Sequence, residues 1–250
     1  MLLLSLAAAP AFAQDTTETN TGLPDNDAAA SSGFEVSGNV AIVTDYRFRG
    51  VSLSGGDFAV QGGVDLAHES GFYIGTWASS ISGGPSFGEL EVDVYAGYGH
   101  EFDNGLTMDV GLLYYIYPTE DIGANVNYWE PYASVGFALG PVSTSVGVAY
   151  AWEQDSLGGD DNLYVYTDFE AGLPNTPVTL AAHLGYTDGV LAPPFLSGLS
   201  ADDSGFDYSI GASTTVLGGL SLGVSYVGVD GPSVDGFTDD TIVGTLAYSF

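Results

Sequence analysis

Apolar and polar residues alternate along most of the chain from Phe34 to Phe250. In the segment 89–98, apolar residues at even positions alternate with Glu89, Glu91 and Asp93. A period of two residues indicates β-strands that have one apolar face. The pattern predicts twelve strands of about 10 to 14 residues, which is long for a soluble sheet and suits tilted strands that cross a bilayer.

Short and long connections alternate between the predicted strands. The short ones lie at 68–71, 103–105, 139–141, 173–176 and 217–219. The long ones lie at 79–87, 118–125, 154–161, 188–204 and 230–237. This asymmetry is typical of bacterial membrane barrels, which have short periplasmic turns and longer extracellular loops. We therefore predict an all-β fold, a transmembrane antiparallel up-and-down β-barrel of about twelve strands, with both termini in the periplasm.

The two ends of the chain carry export and assembly patterns. Residues 1–13 contain a short apolar run that ends in Ala-Phe-Ala, which predicts the remnant of a signal peptide cleaved before Gln14. Residues 14–33 are polar without periodicity, which predicts a disordered periplasmic tail before a barrel at 34–250. At the other end, Leu246, Tyr248 and Phe250 alternate in the pattern that barrel assembly machinery reads, so we expect them to form the assembly signal.

The charge balance excludes one class of partner. The chain has 32 acidic residues and only two basic ones, Arg47 and Arg49, which gives a net charge of −30. Such a surface cannot hold a phosphate backbone, so nucleic acid is excluded. The mean hydropathy of +0.19 is too high for a disordered chain. The acidic excess is explained equally well by adaptation to saline water and by a cation-attracting surface.

If the apolar face meets lipid, the same register places a polar set in the lumen of the barrel. This set is Asp45, Arg47, Arg49, Gln61, Asp65, Glu91, Asp93, Asp109, Glu130, Asp168, Glu170 and Asp207. Carboxylates around a pore favour cations, and twelve strands predict a narrow, partly obstructed pore. The two arginines could face Glu91 and Asp93 across a constriction. A buried salt-bridge network that ties the wall together is the favoured alternative.

Catalytic and metal-binding patterns are weak. His68, His100 and His183 lack metal-ligand spacing, and Asp-rich segments at 160–161 and 239–240 do not match a calcium loop. Two G-x-S-x-G segments, 84–88 and 219–223, lie in a predicted loop and at a predicted strand start, outside the strand-turn-helix context that the motif needs. We expect no enzyme activity, no cofactor and no metal.

One segment is more specific than any of these patterns. The run NVAIVTDYRFRGVS at 39–52 is followed by AVQGG at 59–63, AHESGFY at 67–73 and GTWAS at 75–79. Together with EVDVYAGY at 91–98 and the pair Tyr114-Tyr115, it resembles the TorF porin family. The resemblance covers 34–250, is strongest in the N-terminal half, and implies an outer-membrane barrel without an established substrate.

These observations lead to two functional hypotheses. The first is an outer-membrane porin-like channel, monomeric or trimeric, for passive diffusion of small polar solutes with a preference for cations. The second is a non-conducting structural or interaction barrel whose interior is plugged by Tyr, Glu and Arg contacts and whose extracellular loops bind a partner. Both place the chain in contact with outer-membrane lipid and with the barrel assembly machinery.

Overall fold

A computed structural model describes residues 33–250 and consists mainly of one closed antiparallel barrel. Its elements are β1 (Phe34–Val43), β2 (Arg47–Phe48), β3 (Val51–Ser52), β4 (Ala59–His68), β5 (Phe72–Ser80), α1 (Gly84–Phe87), β6 (Leu90–Glu101), β7 (Thr107–Ile116), β8 (Tyr128–Leu139), β9 (Val142–Gln154), a single 3₁₀ turn (Asp155–Leu157), β10 (Asp160–Gly172), β11 (Val178–Gly189), α2 (Pro193–Leu196), β12 (Ser204–Leu217), β13 (Leu220–Val229) and β14 (Thr241–Ser249). The predicted signal-peptide remnant and nearly all of the predicted tail lie outside these residues.

The barrel wall consists of β1 and β4 to β14, twelve strands that each pair with their neighbours in chain order. The prediction of an all-β, up-and-down barrel is therefore confirmed. The wall closes where Asn39–Val43 of β1 pairs with Thr245–Ser249 of β14. Beside this seam, Gly38 and Phe250 exchange two backbone hydrogen bonds of 3.0 Å, so the last residue of the chain takes part in closure.

The two faces of the wall follow the sequence pattern. Val94 and Val110 are each 40% exposed on the outside, whereas their neighbours Asp93 and Asp109 are 3% and 6% exposed and point inward. Because a shift of one residue would exchange the faces, this burial fixes the register of the strands. No helix within 33–250 is long and apolar enough to cross a membrane.

All connections of one kind lie at one end of the barrel. The short turns, together with Phe34 and Ser249, lie at what we call the short-turn end. The opposite, long-loop end carries 44–58, 81–89, 117–127, 155–159, 190–203 and 230–240. The last but one of these includes α2, where Pro194 packs against Gly205 and Gly231 while Phe195 stays 44% exposed.

The connection 44–58 corrects the sequence interpretation. Asp45, Arg47 and Arg49 were expected on a wall strand, but β1 ends at Val43 and the three residues lie on a separate two-stranded hairpin, β2–β3. The turn residues Arg49 and Gly50 have φ of 50° and 79°. Positive φ at both central positions is the type I′ geometry that reverses a chain in two residues. The chain therefore turns back before it can continue the wall.

Candidate functional site

The hairpin lies inside the barrel. We call residues 45–54 the inserted hairpin. Val51 and Ser52 on it are 1% and 2% exposed, which is the burial of a protein core. At its tip, a Cβ on Gly50 would lie 2.9 Å from the Asp207 Cβ and would also collide with Val229. Only glycine fits here, because both the backbone conformation and the space exclude a side chain.

Aromatic contacts hold the hairpin against one side of the wall. The Tyr46 ring packs edge-on against Trp77 of β5 at 5.5 Å, and its hydroxyl donates a 2.7 Å hydrogen bond to Glu91 of β6. The Phe48 ring packs edge-on against Tyr115 of β7 at 5.8 Å. Edge-to-face pairs of this kind add to the burial of apolar surface. The hairpin is therefore fixed to three consecutive strands.

Arg49 continues the contacts around the wall to β8 and β10. Its Nη2 donates a 2.7 Å hydrogen bond to the Glu130 Oε2 of β8, and its guanidinium lies 4.2 Å from the centre of the Tyr164 ring of β10. Burial lowers the pKa of Arg49, but the charge of Glu130 and the nearby tyrosines together raise this pKa by more, so the guanidinium stays charged. With Gly50 against β12 and β13, the inserted hairpin spans the lumen from wall to wall.

Arg47 ties the hairpin to a loop. Its Nε donates a 2.5 Å hydrogen bond to Asp45, and its Nη1 and Nη2 reach the Asp239 carbonyl and carboxylate at 2.7 Å and 3.1 Å. Within 33–250 neither arginine forms an ion pair with Glu91 or Asp93, and both pair with other carboxylates of the hairpin, a loop and the wall. The actual partners came within reach because the hairpin folds inward, which the wall register could not show.

The wall positions of the polar set fall into three groups. The first group is buried at the hairpin and consists of Glu91, Asp93 and Glu130. The second group lies on β10 and β12 and consists of Asp168, Asp207 and the half-buried Glu170. The third group lies on β4 and β7 and consists of Gln61, Asp65 and Asp109. In the first group, Asp93 Oδ1 and Glu130 Oε1 have no hydrogen-bond partner among the described residues. Gln61 lies 3.3 Å from the Ser79 hydroxyl. The structure thus brings the acidic residues together in clusters and not in a single ring.

A family model described as a bacterial protein of unknown function, Gcw_chp, matches residues 27–250. The chain belongs to this family. The TorF resemblance remains a prediction beside it. No curated protein matches the sequence.

Solved structures share the fold of this Gcw_chp member at low sequence identity. A NanC porin matches with a TM-score of 0.58 and 12% identity over 86% of this chain and 99% of that chain. A KdgM porin gives 0.57 and 11% over 86% and 99%. An outer membrane channel from Pseudomonas putida gives 0.53 and 13% over 92% and 99%. At these identities the likeness shows the barrel fold alone.

The Gcw_chp chain also contains a cluster that the sequence patterns missed. His183 of β11 lies 2.6 Å from Asp168 through Nδ1, and its Nε2 lies 2.8 Å from the Tyr164 hydroxyl and 3.1 Å from Asp207. Strand pairing carries the signal, because Asp168 is the direct cross-strand partner of His183. Across the described ranges, no group of His, Cys, Asp and Glu could hold a metal ion.

Proposed function

We propose that this protein is an outer-membrane channel for passive diffusion of small polar solutes, with a preference for cations. The observation that carries the proposal is the lining of the barrel. Apolar side chains cover the outside, while buried carboxylates such as Asp65, Asp109 and Asp207 face inward. A wall of this kind suits lipid on one face and water or ions on the other. The shared fold with solved porins supports the same reading.

The preference for cations follows from charge pairing. The only two Lys or Arg residues of the chain are Arg47 and Arg49, and each is paired with a carboxylate. The remaining carboxylates of the lumen keep a net negative field, which attracts cations and repels anions. One solved KdgM porin, with a TM-score of 0.55 and 11% identity, is in complex with an oligogalacturonate, a polyanion. This lumen has no unpaired arginine to offer such a solute, so we expect a different cargo.

The inserted hairpin supplies the constriction in this proposal. It spans the lumen on the side of the long-loop end. The lumen toward the short-turn end is lined by partly exposed Ser134, Ser145 and Ser209. Solutes would pass beside the hairpin or enter when it moves. The same observation favours the second candidate, a non-conducting barrel whose loops bind a partner, because a hairpin fixed on all sides could seal the lumen.

Location and assembly complete the proposal. We place the barrel in the outer membrane as a monomer or trimer, with the short-turn end and both termini in the periplasm. Leu246, Tyr248 and Phe250 would serve as the signal for the barrel assembly machinery, and the first two lie on the lipid-facing side of β14.

An epitope inserted at 199–201, in the loop that follows α2, should be labelled on intact cells. An epitope at 104 in the β6–β7 turn should not.

The selectivity is tested by reversal potentials in planar bilayers. The protein is refolded without residues 1–13 and placed between two KCl concentrations. We expect stepwise currents whose reversal potential has the sign of a cation-selective pore. Anion-selective currents would contradict the charge argument. The absence of current from a folded barrel would instead favour the non-conducting candidate.

A further inference from the structure

Four tyrosines line the lumen on the short-turn side of the hairpin. We call Tyr73, Tyr95, Tyr132 and Tyr166 the tyrosine belt; they lie on β5, β6, β8 and β10. Each ring lies against a glycine of a neighbouring strand, where a Cβ would collide with it. The pairs are Tyr73 with Gly97, Tyr95 with Gly75, Tyr132 with Gly111 and Tyr166 with Gly147. Because the glycines let the rings lie against the backbone, Tyr73, Tyr132 and Tyr166 keep their other faces partly exposed to the lumen, whereas Tyr95 is only 5% exposed.

Water can reach this belt. Tyr73, Tyr132 and Tyr166 are partly exposed, although strand alternation points them inward. The neighbours Ile74 and Val165 confirm the alternation, since they are exposed on the outer face at 52% and 39%. Partial exposure of an inward ring means that the lumen below the inserted hairpin is open to solvent. A solute that enters from the short-turn end would therefore meet the belt.

Two carboxylates accompany the rings. The Tyr95 hydroxyl donates a 2.5 Å hydrogen bond to Asp65. The Tyr73 hydroxyl lies 3.0 Å from both carboxylate oxygens of Asp109 and 2.5 Å from the Tyr132 hydroxyl. Neither aspartate forms an ion pair with any Arg or His of the described chain. The belt therefore joins electron-rich ring faces to two carboxylates whose negative charges lack a cationic partner.

We propose that the tyrosine belt, together with Asp65 and Asp109, is a binding site for small organic cations that carry an ammonium group. Ring faces attract such cations through the aromatic quadrupole. Nearby carboxylates add Coulombic attraction. They need not replace a hydration shell, because an alkylated ammonium is only weakly hydrated. Several rings around one cation form the arrangement that recognises quaternary ammonium groups. This inference deepens the proposed cation preference by naming a solute class, and rests on it for any role in transport.

Binding is tested by isothermal titration calorimetry on the refolded barrel in a non-ionic detergent, which carries no ammonium group, at low ionic strength. The probe is tetramethylammonium chloride, and neopentyl alcohol serves as an uncharged molecule of similar shape. We expect saturable binding of the ammonium and weaker or no binding of the alcohol. Equal binding of both would show a site that selects for apolar shape and not for charge and would overturn the proposal, as would the absence of ammonium binding.

Variants separate the ring from its hydroxyl. Tyr132→Phe keeps the ring face and should leave the dissociation constant within about twofold, whereas Tyr132→Leu should weaken binding by about fivefold or more. Asp109→Asn should also weaken it. Tyr150→Leu, at an exposed tyrosine of β9 outside the lumen, is the matched control and should bind normally. If Tyr132→Leu and Asp109→Asn both bind as tightly as the native barrel, the site is elsewhere.

The calorimetry needs no ion current, so it distinguishes the two proposals. A barrel that binds tetramethylammonium but carries no current contradicts only the channel. A cation-selective channel that does not bind tetramethylammonium contradicts only the belt.

Discussion

At the scale of single residues, the account depends on the tip of the inserted hairpin. Arg49 has a left-handed backbone conformation, which costs an ordinary residue about 1 kcal/mol, and it buries its charge against Glu130. Removing one partner of a buried pair is costly because the other charge remains desolvated and unpaired. Gly50 beside it can adopt the positive φ of the turn, and the absence of a Cβ leaves room for Val229 and Asp207. These two positions therefore help to hold the hairpin in the lumen, beside the contacts of Tyr46, Phe48 and Arg47.

Arg49→Met should lower the free energy of unfolding by about 3 kcal/mol, because it leaves Glu130 buried without its ion pair. The double variant Arg49→Met, Glu130→Met should regain most of that loss. Urea titration in lipid vesicles measures both. The single variant Glu130→Met completes the cycle, and a loss in the double variant equal to the sum of the two single losses would show that the pair is not coupled.

Gly50→Ala should displace the hairpin and raise single-channel conductance, since the added Cβ collides with Val229 and crowds Asp207. Gly158→Ala is the matched control: its φ of 77° is nearly that of Gly50, but a Cβ there meets no atom within 4 Å. The control shares the backbone strain and should conduct like the native barrel. Equal conductance of the native barrel and both variants would show that the space at Gly50 does not control the constriction.

At the scale of elements, the sequence predicted the wall and missed what fills it. Alternation is a local property, so segments such as 89–98 predict their own strands and faces. The inserted hairpin is an exception. Asp45, Arg47 and Arg49 also alternate, so the pattern predicts that they continue a wall strand. Only the Arg49-Gly50 turn indicates that the chain reverses. Their contacts with Glu130 and Asp239 join residues far apart in sequence, and no single-strand pattern carries such information. The tyrosine-glycine pairs likewise need the strand register.

The seam between β1 and β14 is the element whose loss should affect assembly. Phe250→Ala should slow folding into vesicles, because the Phe250 ring lies over Gly38 and would lie only 2.7 Å from a Cβ built there. Gly38→Ala should act in the same way by pushing the ring aside. Phe102→Ala, in the β6–β7 turn away from the seam, is the control. Folding is followed by the shift in mobility between folded and unfolded barrel on gels, and equal rates for all four proteins would contradict the role of the seam.

At the scale of the whole molecule, the barrel is a negatively charged tube with an inserted hairpin. The net charge of −30 belongs to the whole chain and includes acidic residues on the loops and in the lumen, and the two arginines neutralise only their own partners. The field of such a molecule acts over about 10 Å at 0.1 M salt and about 3 Å at 1 M. Fixed charges that line a narrow lumen lie within this range of a passing ion, so they set its preference.

Asp109→Asn should reduce the cation preference, because it removes a lumen charge that no cationic side chain of the described structure balances. The native preference itself should fall as KCl is raised from 0.1 M to 1 M, since screening weakens the field. Asp103→Asn, in the exposed β6–β7 turn, is the control with the same change of net charge. A cation preference that is independent of salt and of Asp109 would point to a size filter and not to the lumen charge.

The most direct test of a hairpin-constricted acidic channel compares the single-channel conductance of the native barrel with that of a variant in which residues 45–54 are replaced by a short Gly-Ser linker. The account predicts small cation-selective steps for the native protein and larger steps, still cation-selective, for the variant. Folded barrels of equal conductance, or two barrels that carry no current, would contradict it.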